Sequence, residues 1–170
     1  EICANSFESA KAAQDGGADR IELCSDLSVG GLTPTRELIG KAISELDIPI
    51  HVLIRPRSGN FIYTEDELKV MLADIEYCID RECAGIVSGV LTSENDIDIQ
   101  STRRLIEASL GVEFTFHRGF DLCRKPRHQL NTLTELGVAR LLSSGQQAKA
   151  IDGIELLKEL KTVSRRKIEI

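Results

Sequence analysis

The sequence predicts an α/β fold of the TIM type, a (β/α)8 barrel. Apolar, β-prone runs alternate with helical segments along all 170 residues, and the connections between them are short. This alternation is typical of a parallel sheet with crossover helices. Polar residues follow nearly every predicted strand, which favours a barrel with a site at one rim over a doubly wound open sheet. No G-x-G-x-x-G follows the first strand, so a dinucleotide-binding open sheet is further disfavoured.

Seven segments are predicted as strands from their apolar and β-branched residues. In chain order they are 1–3, 18–24, 48–54, 85–91, 112–116, 140–142 and the start of a seventh at 167–170. A complete barrel has eight strands and at least ~200 residues. We therefore expect a single barrel domain over residues 1–170 that covers about six and a half βα units and lacks its C-terminal units.

Six helices are predicted between these strands. Ser6 and Thr64 are predicted N-caps of the first and third helices, and Pro34 stands near the start of the second. Five apolar residues between Leu68 and Ile79 keep the i, i+3, i+4 spacing of a helix face that packs on a core. The predicted helices are 7–14, 35–46, 65–82, 98–110, 127–136 and 151–163.

Composition argues against several classes of function. Hydrophobic residues make up 42% and charged residues 28%, which is ordinary for a soluble globular protein. The net charge of −6 disfavours binding to nucleic acid or to an anionic membrane, and no apolar run approaches the ~20 residues that span a bilayer. The five cysteines include no CxxC pair. We interpret them as free thiols of a reducing cytosol rather than a disulfide framework or closed zinc site.

The first and second predicted strands end alike, in Glu-x-Cys. Strand residues two apart share a face, so both glutamates and both cysteines point into the barrel if Ile2 and Leu23 pack outward. Neighbouring strands lie ~5 Å apart, and facing Cys3 and Cys24 thiols would form a soft-metal site suited to Cu(I). The alternative is that both are ordinary buried core cysteines. The residues leave these two interpretations open.

Two arginines follow the third predicted strand. Arg55 and Arg57 share a face, and paired guanidinium groups at a strand end suit a carboxylate or phosphate. The alternative is that they pair with Glu1 and Glu22 in a charged barrel floor, and both interpretations can hold together. A Gly-rich loop at 30–34 enters the second helix and is a weak candidate for anion binding, because it lacks the lysine of a P-loop.

The fifth predicted strand ends abruptly in ionisable residues. Such groups at the end of a buried strand are costly unless they are paired or used, and ligands bind at the C-terminal ends of strands in α/β proteins. His117 is therefore a candidate general acid or base, with Glu22 as the complementary carboxylate. Asp121 is a further catalytic candidate, and Arg118 is a candidate anion ligand. A structural cluster of His117, Arg118 and Asp121 is the alternative.

Six motifs stand in order along the chain. They are Arg20-Ile-Glu-Leu-Cys24, Gly30-Gly-Leu-Thr-Pro34, Ile54-Arg-Pro-Arg57, Phe61-Ile-Tyr63, Thr115-Phe-His-Arg118 with Phe120-Asp121, and Leu142-Ser-Ser-Gly145. Together they resemble the CutC family of copper-homeostasis proteins, not the choline-cleaving enzyme of the same name. The resemblance implies a (β/α)8-type barrel, a cytoplasmic location, self-association as a homodimer or higher homo-oligomer, and a link to copper tolerance. Cys3 and Cys24 match the family's proposed Cu(I)-binding cysteines.

A few positions depart from the family pattern. Ser58 and Asn60 stand where Gly and Asp are usual, Gly119 replaces Ala, and Ser143 replaces Thr. Two functions are carried forward from the residues and the resemblance. The first is a cytosolic copper-homeostasis protein that binds or handles Cu(I), and the second is a barrel enzyme acting on a small anionic metabolite, for example a phosphorylated one. The expected partner is accordingly a copper ion or a small anion, with no nucleic acid and no membrane.

Overall fold

Six parallel strands form one sheet in the order of the chain, β1-β2-β3-β4-β5-β6. The computed structural model describes residues 1–165 and 167–170. The strands are β1 (Ile2–Ala4), β2 (Ile21–Leu23), β3 (Ile50–Leu53), β4 (Gly85–Ser88), β5 (Glu113–Phe116) and β6 (Arg140–Leu141). An open doubly wound sheet would reverse its strand order partway. Sequential parallel order is instead that of a (β/α)8 barrel arc, so the predicted fold class is confirmed.

Each pair of successive strands is joined by a helix. The helices are α1 (Phe7–Asp15), α2 (Arg36–Glu45), α3 (Glu65–Asp80), α4 (Ile99–Ala108), α5 (Pro126–Glu135) and α6 (Ile154–Ser164), the last following β6. The predicted caps are confirmed, since Ser6 Oγ accepts from the Ser9 N–H at 3.1 Å. Thr64 and Glu67 form a reciprocal capping box at the start of α3. Among the described residues, no helix is long and apolar enough to cross a membrane.

Several predicted boundaries differ from the observed ones. β2 begins only at Ile21 because the Ala18 N–H still donates to the Ala13 carbonyl at the end of α1. β4 ends at Ser88, since Leu91 donates to the carbonyl of Phe61 in a loop. The predicted helix at 151–163 begins as a 3-10 turn, Ala150–Gly153. Two further 3-10 turns, Leu27–Val29 and Arg118–Leu122, were not predicted.

The predicted seventh strand is present as one isolated parallel bridge between Arg140 and Glu169. Leu141 donates to the Glu169 carbonyl at 2.8 Å, and Glu169 donates to the Ala139 carbonyl at 3.0 Å. Residue 166, just before the predicted strand, lies outside the described residues. The chain therefore continues the parallel order beyond β6.

The core lies mainly between the sheet and the helices, where the outward residues of each strand meet apolar helix faces. A smaller buried cluster of Cys24, Leu53 and Val87 lies on the opposite, inward face of the sheet. Two residues earlier along each strand, on the same face, register places Glu22, His51 and Gly85 side by side on β2, β3 and β4. Polar side chains thus occupy the concave face of the sheet.

Gly85→Ala is expected to destabilise the fold by about 1–3 kcal/mol through overpacking. A Cβ at Gly85 would lie 2.4 Å from Cε1 of the buried His51 ring. The free energy of unfolding, measured with urea, tests this. Gly16→Ala is the control, because Gly16 has an ordinary φ of −78° and the change there should stay within about 1 kcal/mol. Equal stability of the two variants would contradict this account of Gly85.

Candidate functional site

Cys3, Glu22 and Cys24 lie together where β1 and β2 run side by side; we call them the thiol group. Register puts Cys3 opposite Glu22, whereas Cys24 follows β2, where its N–H donates to the Ala4 carbonyl at 2.9 Å. The Cys24 thiol also approaches that carbonyl at 3.6 Å. The two thiols are therefore offset along the strands, with the carboxyl group opposite Cys3, rather than directly facing one another. Both cysteines are free, with Cys3 exposed and Cys24 buried.

The protonation of the thiol group follows from its surroundings. Although Cys3 is exposed as a residue, desolvation by the atoms packed around its thiol, then the nearby Glu22 carboxylate, raises the pKa of that thiol to about 12. The same two causes raise the pKa of Cys24 to about 11. Burial raises the pKa of Glu22 to about 7, with Glu1 adding to the effect. Both thiols are thus protonated at neutral pH, while Glu22 is close to half ionised.

Arg55 lies at the end of β3 and is only 5% exposed. Its Nη1 donates to the carbonyls of Val29 at 2.8 Å and Gly31 at 2.9 Å, and Nη2 donates to the Gly59 carbonyl at 3.0 Å. Arg55 thereby fixes the loops that follow β2 and β3. The weak expectation that loop 30–34 binds an anion is not supported by this geometry, because carbonyl oxygens rather than N–H groups face the cation.

His117 follows β5 and is also 5% exposed. Its Nδ1 accepts from the Gly119 N–H at 3.2 Å, so the neutral ring carries its proton on Nε2. Nε2 has no hydrogen-bond partner among the described residues. Burial lowers the pKa of His117 to about 4, and the charge of Arg55 contributes. The ring is therefore a neutral donor at physiological pH.

Phe61 and Tyr63 complete this region, and sequence reasoning did not assign them a site role. The Phe61 ring lies 4.5 Å from the His117 ring, centroid to centroid, and Cζ of Arg55 lies 4.9 Å from the Phe61 centroid. The Tyr63 hydroxyl is buried without a partner among the described residues. Burial raises the pKa of Tyr63 to about 12. In the sequence, these two rings were noticed only as part of the motif Phe61-Ile-Tyr63, one of the six that resemble the family pattern.

The guanidinium group of Arg57 has different partners from that of Arg55. It pairs with Glu67 at the start of α3 and donates to the carbonyls of Asn60 at 3.1 Å and Ile62 at 2.6 Å. Its ring neighbour is Tyr63, 5.1 Å from Cζ. The guanidinium is thus engaged by its own loop. The alternative pairing of Arg55 and Arg57 with Glu1 and Glu22 is not observed among the described residues.

Asp121 and Arg118 lie on the 3-10 turn after His117 and hold the loop after β6. Asp121 accepts from Ser143 Oγ at 2.6 Å, from Ser144 Oγ at 2.9 Å and from the Gln146 N–H at 3.1 Å. Arg118 Nε donates to Asp121 at 3.0 Å, and Nη2 donates to Ser144 Oγ at 2.6 Å. The ion pair matches the structural alternative for these two residues, whereas His117 stands outside it.

A second charged cluster lies at the N-terminal ends of the strands. Arg20 pairs with Glu1 at 2.6 Å, and Glu113 meets both Arg140 at 3.2 Å and His51 Nε2 at 3.5 Å. Burial, then the charge of Arg20, lowers the pKa of His51 to about 4. The charged floor is therefore built by Arg20 and Arg140 with Glu1 and Glu113, and not by Arg55 and Arg57 with Glu1 and Glu22.

The sequence of this chain is similar to that of known proteins over its whole length. The model of the CutC family matches residues 1–170, the whole chain. The chain belongs to the CutC family. A family protein CutC of Pasteurella multocida is 45% identical over 170 residues, covering 100% of this chain and 70% of that protein. One of Bacteroides thetaiotaomicron is 47% identical over 169 residues, covering 99% of this chain and 68% of that protein.

A CutC of known structure has the same fold. It is the crystal structure of a candidate copper homeostasis protein CutC from Streptococcus agalactiae. The TM-score is 0.94 at 34% identity, with 99% of this chain and 84% of that chain covered. The six strands of this CutC chain and their crossovers therefore follow the architecture of a solved CutC structure.

Two departures from the CutC pattern have structural consequences here. Asn60 Oδ1 accepts from Arg57 Nη1 at 3.2 Å and from the Ile62 N–H at 3.3 Å, so it orders its own loop. A Cβ at Gly119 would lie 2.9 Å from Cε1 of His117 and 3.2 Å from Cδ2 of Phe61. Glycine at this position therefore leaves room for the close contact of those two rings in this CutC chain.

Proposed function

We propose that this CutC chain takes part in copper homeostasis by binding Cu(I) through Cys3 and Cys24. The observation that carries the proposal is the placement of two free thiols at the pairing of β1 and β2, one opposite Glu22 and one just beyond it. Thiolates are soft ligands that select Cu(I) over hard divalent ions. The name of the Streptococcus agalactiae relative, which refers to copper homeostasis, supports the same function.

The donor set suits a two-thiol site better than a site with more protein ligands. Among residues 1–165 and 167–170, no group of three or more His, Cys, Asp or Glu side chains is arranged to hold a metal ion. Structural zinc requires about four such ligands, whereas two thiolates match the soft-ligand preference of Cu(I). Cu(I) held by two thiolates carries a net charge of −1. Near neutral pH the protonated fraction of Glu22, whose pKa is about 7, lowers the repulsion that this charge would meet.

The proposal includes a cytoplasmic setting and a homodimer or higher homo-oligomer, as family membership suggests. A reducing compartment keeps cysteines as free thiols and copper in its Cu(I) state. All five cysteines of the chain are free in the structure. A site with ligands on two adjacent strands of one chain does not itself depend on a second protomer.

Cu(I) affinity is expected to rise steeply with pH. Both thiols have raised pKa values, about 12 and about 11, so binding releases two protons and the apparent affinity rises on the order of 100-fold per pH unit. Thiols at their ordinary value of 9.0 would level off near pH 9. Competition with a chromophoric Cu(I) chelator under reducing conditions, from pH 7 to 10, measures this slope. One Cu(I) per chain and a rise continuing beyond pH 9 support the proposal, and a pH-independent affinity contradicts it.

A further inference from the structure

We propose that Arg55, Tyr63 and His117 form a binding site for a small anion bearing a phosphate or carboxylate group, covered by the ring of Phe61. This site is separate from the thiol group and does not depend on copper. Gly31 lies between the two, since its carbonyl accepts from Arg55 and a Cβ built on it would lie 3.5 Å from Cβ of Cys24. The donors come from the ends of β3 and β5 and from the loop after β3, at the edge where parallel barrels bind ligands.

Arg55 carries a buried positive charge without a counter-ion among the described residues. Its side chain is buried, yet its hydrogen bonds run only to backbone carbonyls. No carboxylate of the described residues forms an ion pair with it. Its Nε also lacks any partner in that part of the chain. A buried cation without a counter-ion is costly, and an anion at Nε would supply both the missing charge and the missing acceptor.

Two neighbouring side chains, His117 and Tyr63, also present buried hydrogen-bond donors without acceptors among the described residues. The Gly119 N–H occupies Nδ1 of His117, which leaves Nε2–H free to donate. The Tyr63 hydroxyl is likewise buried. Its neighbour Arg55 can only donate to the hydroxyl oxygen, so the hydroxyl proton has no acceptor among the described residues. A buried donor without an acceptor costs about 1–3 kcal/mol, so three of them in one region of a natural fold require an explanation. One multivalent acceptor satisfies all three.

Arg55 and His117 lie close together beside the Phe61 ring. The Phe61 ring contacts both the His117 ring, at 4.5 Å, and the Arg55 guanidinium, at 4.9 Å. Arg55 is also near enough to both Tyr63 and His117 for its charge to act on them. It opposes the rise in the pKa of Tyr63 and adds to the fall in the pKa of His117. Arg57 and Arg118, by contrast, are engaged by Glu67 and Asp121. The half-buried Phe61 ring thus lies against both Arg55 and His117, and it turns aside when an anion binds in the proposed site.

The experiment is a thermal-shift and calorimetric titration of the full chain with inorganic phosphate and, separately, with malonate. Sodium chloride at matched ionic strength controls for general salt effects. Saturable stabilisation by phosphate, by malonate or by both supports the site, and the stronger of the two identifies the ligand class. Stabilisation by neither anion beyond chloride overturns the proposal.

The variants keep the test informative even if Arg55 is needed for folding. Tyr63→Phe and His117→Leu should each weaken anion binding on the order of tenfold, because each loses a hydrogen bond to a charged ligand. Tyr77→Phe and His128→Leu are the matched controls, since Tyr77 donates to the Arg36 carbonyl on the surface and His128 is exposed. Equal binding by all four variants overturns the assignment. The Cys3→Ser, Cys24→Ser variant should bind the anion as wild type does.

Discussion

Replacing Cys3 and Cys24 together by serine is expected to remove Cu(I) binding from this protein. The loss should exceed 100-fold, because changes to groups that merely orient a metal ligand already cost about 10–100-fold. Serine keeps the size and the hydrogen bond to the Ala4 carbonyl but offers a hard oxygen in place of a soft sulfur. The readout is competition with a Cu(I) chelator at pH 9 under reducing conditions, alongside circular dichroism to verify the fold.

The chain offers a control with the same number of thiols removed. Cys78 and Cys83 are both buried at the end of α3, and their thiols adjoin one another. The Cys78→Ser, Cys83→Ser variant should keep wild-type Cu(I) affinity if Cys3 and Cys24 hold the ion. The reverse pattern, with binding lost in this variant and kept in the other, would place the copper site at Cys78 and Cys83 and contradict the proposal.

Asp121→Ala is expected to lower the free energy of unfolding by about 1–3 kcal/mol, the cost of leaving buried hydrogen-bond donors without an acceptor; the Arg118 side chain is 50% exposed and adds little. The carboxylate side chain is 9% exposed and accepts from Ser143, Ser144 and Gln146. Its removal leaves the Ser143 hydroxyl and the N–H groups of Ser144 and Gln146 without this acceptor. Urea denaturation measures the loss. Asp66→Ala, at a carboxylate that is 90% exposed, is the control and should change stability by less than about 1 kcal/mol.

The same carboxylate predicts a pH dependence. Burial alone would raise the pKa of Asp121, but the hydrogen bonds from Ser143, Ser144, Gln146 and Arg118 outweigh it and hold the pKa below its usual range. A depressed pKa stabilises the fold above the unfolded value of about 3.9, and this contribution is lost as pH falls through the folded value. The stability difference between wild type and Asp121→Ala should therefore shrink below about pH 4. A constant difference down to pH 2 would contradict a structural role.

Much of the fold could be predicted because local signals agreed with the global architecture. The caps at Ser6 and Thr64 and the alternation of strand and helix gave element types and order without any tertiary information. Boundaries were harder. Residues such as Ala18 and Leu91 are apolar enough to continue a strand, yet their N–H groups bond to a helix end and to a loop carbonyl. Such competition between hydrogen-bond partners is decided in three dimensions.

The candidate site was predictable as a set of residue types but not as a set of contacts. The Glu-x-Cys repeat correctly placed Cys3, Glu22 and Cys24 near one another. The sequence could not show that Arg55 is buried and Arg57 turns outward, because both share strand parity and chemistry. Nor could it show that Asp121 serves the loop after β6, a contact that spans more than 20 residues.

Cys3 and Cys24 are placed by contacts that are closer together in sequence than those that place Arg55, Tyr63 and His117. Cys3 and Cys24 are brought together by a single β1-α1-β2 crossover within the first 24 residues of this chain. Arg55, Tyr63 and His117 require the sheet to be assembled through β5. Contacts of low sequence separation form early, and chains are synthesised from the N-terminus. The two cysteines are therefore synthesised before Arg55, Tyr63 and His117, and a substitution that loosens β5 should disturb these three side chains more than the two thiols.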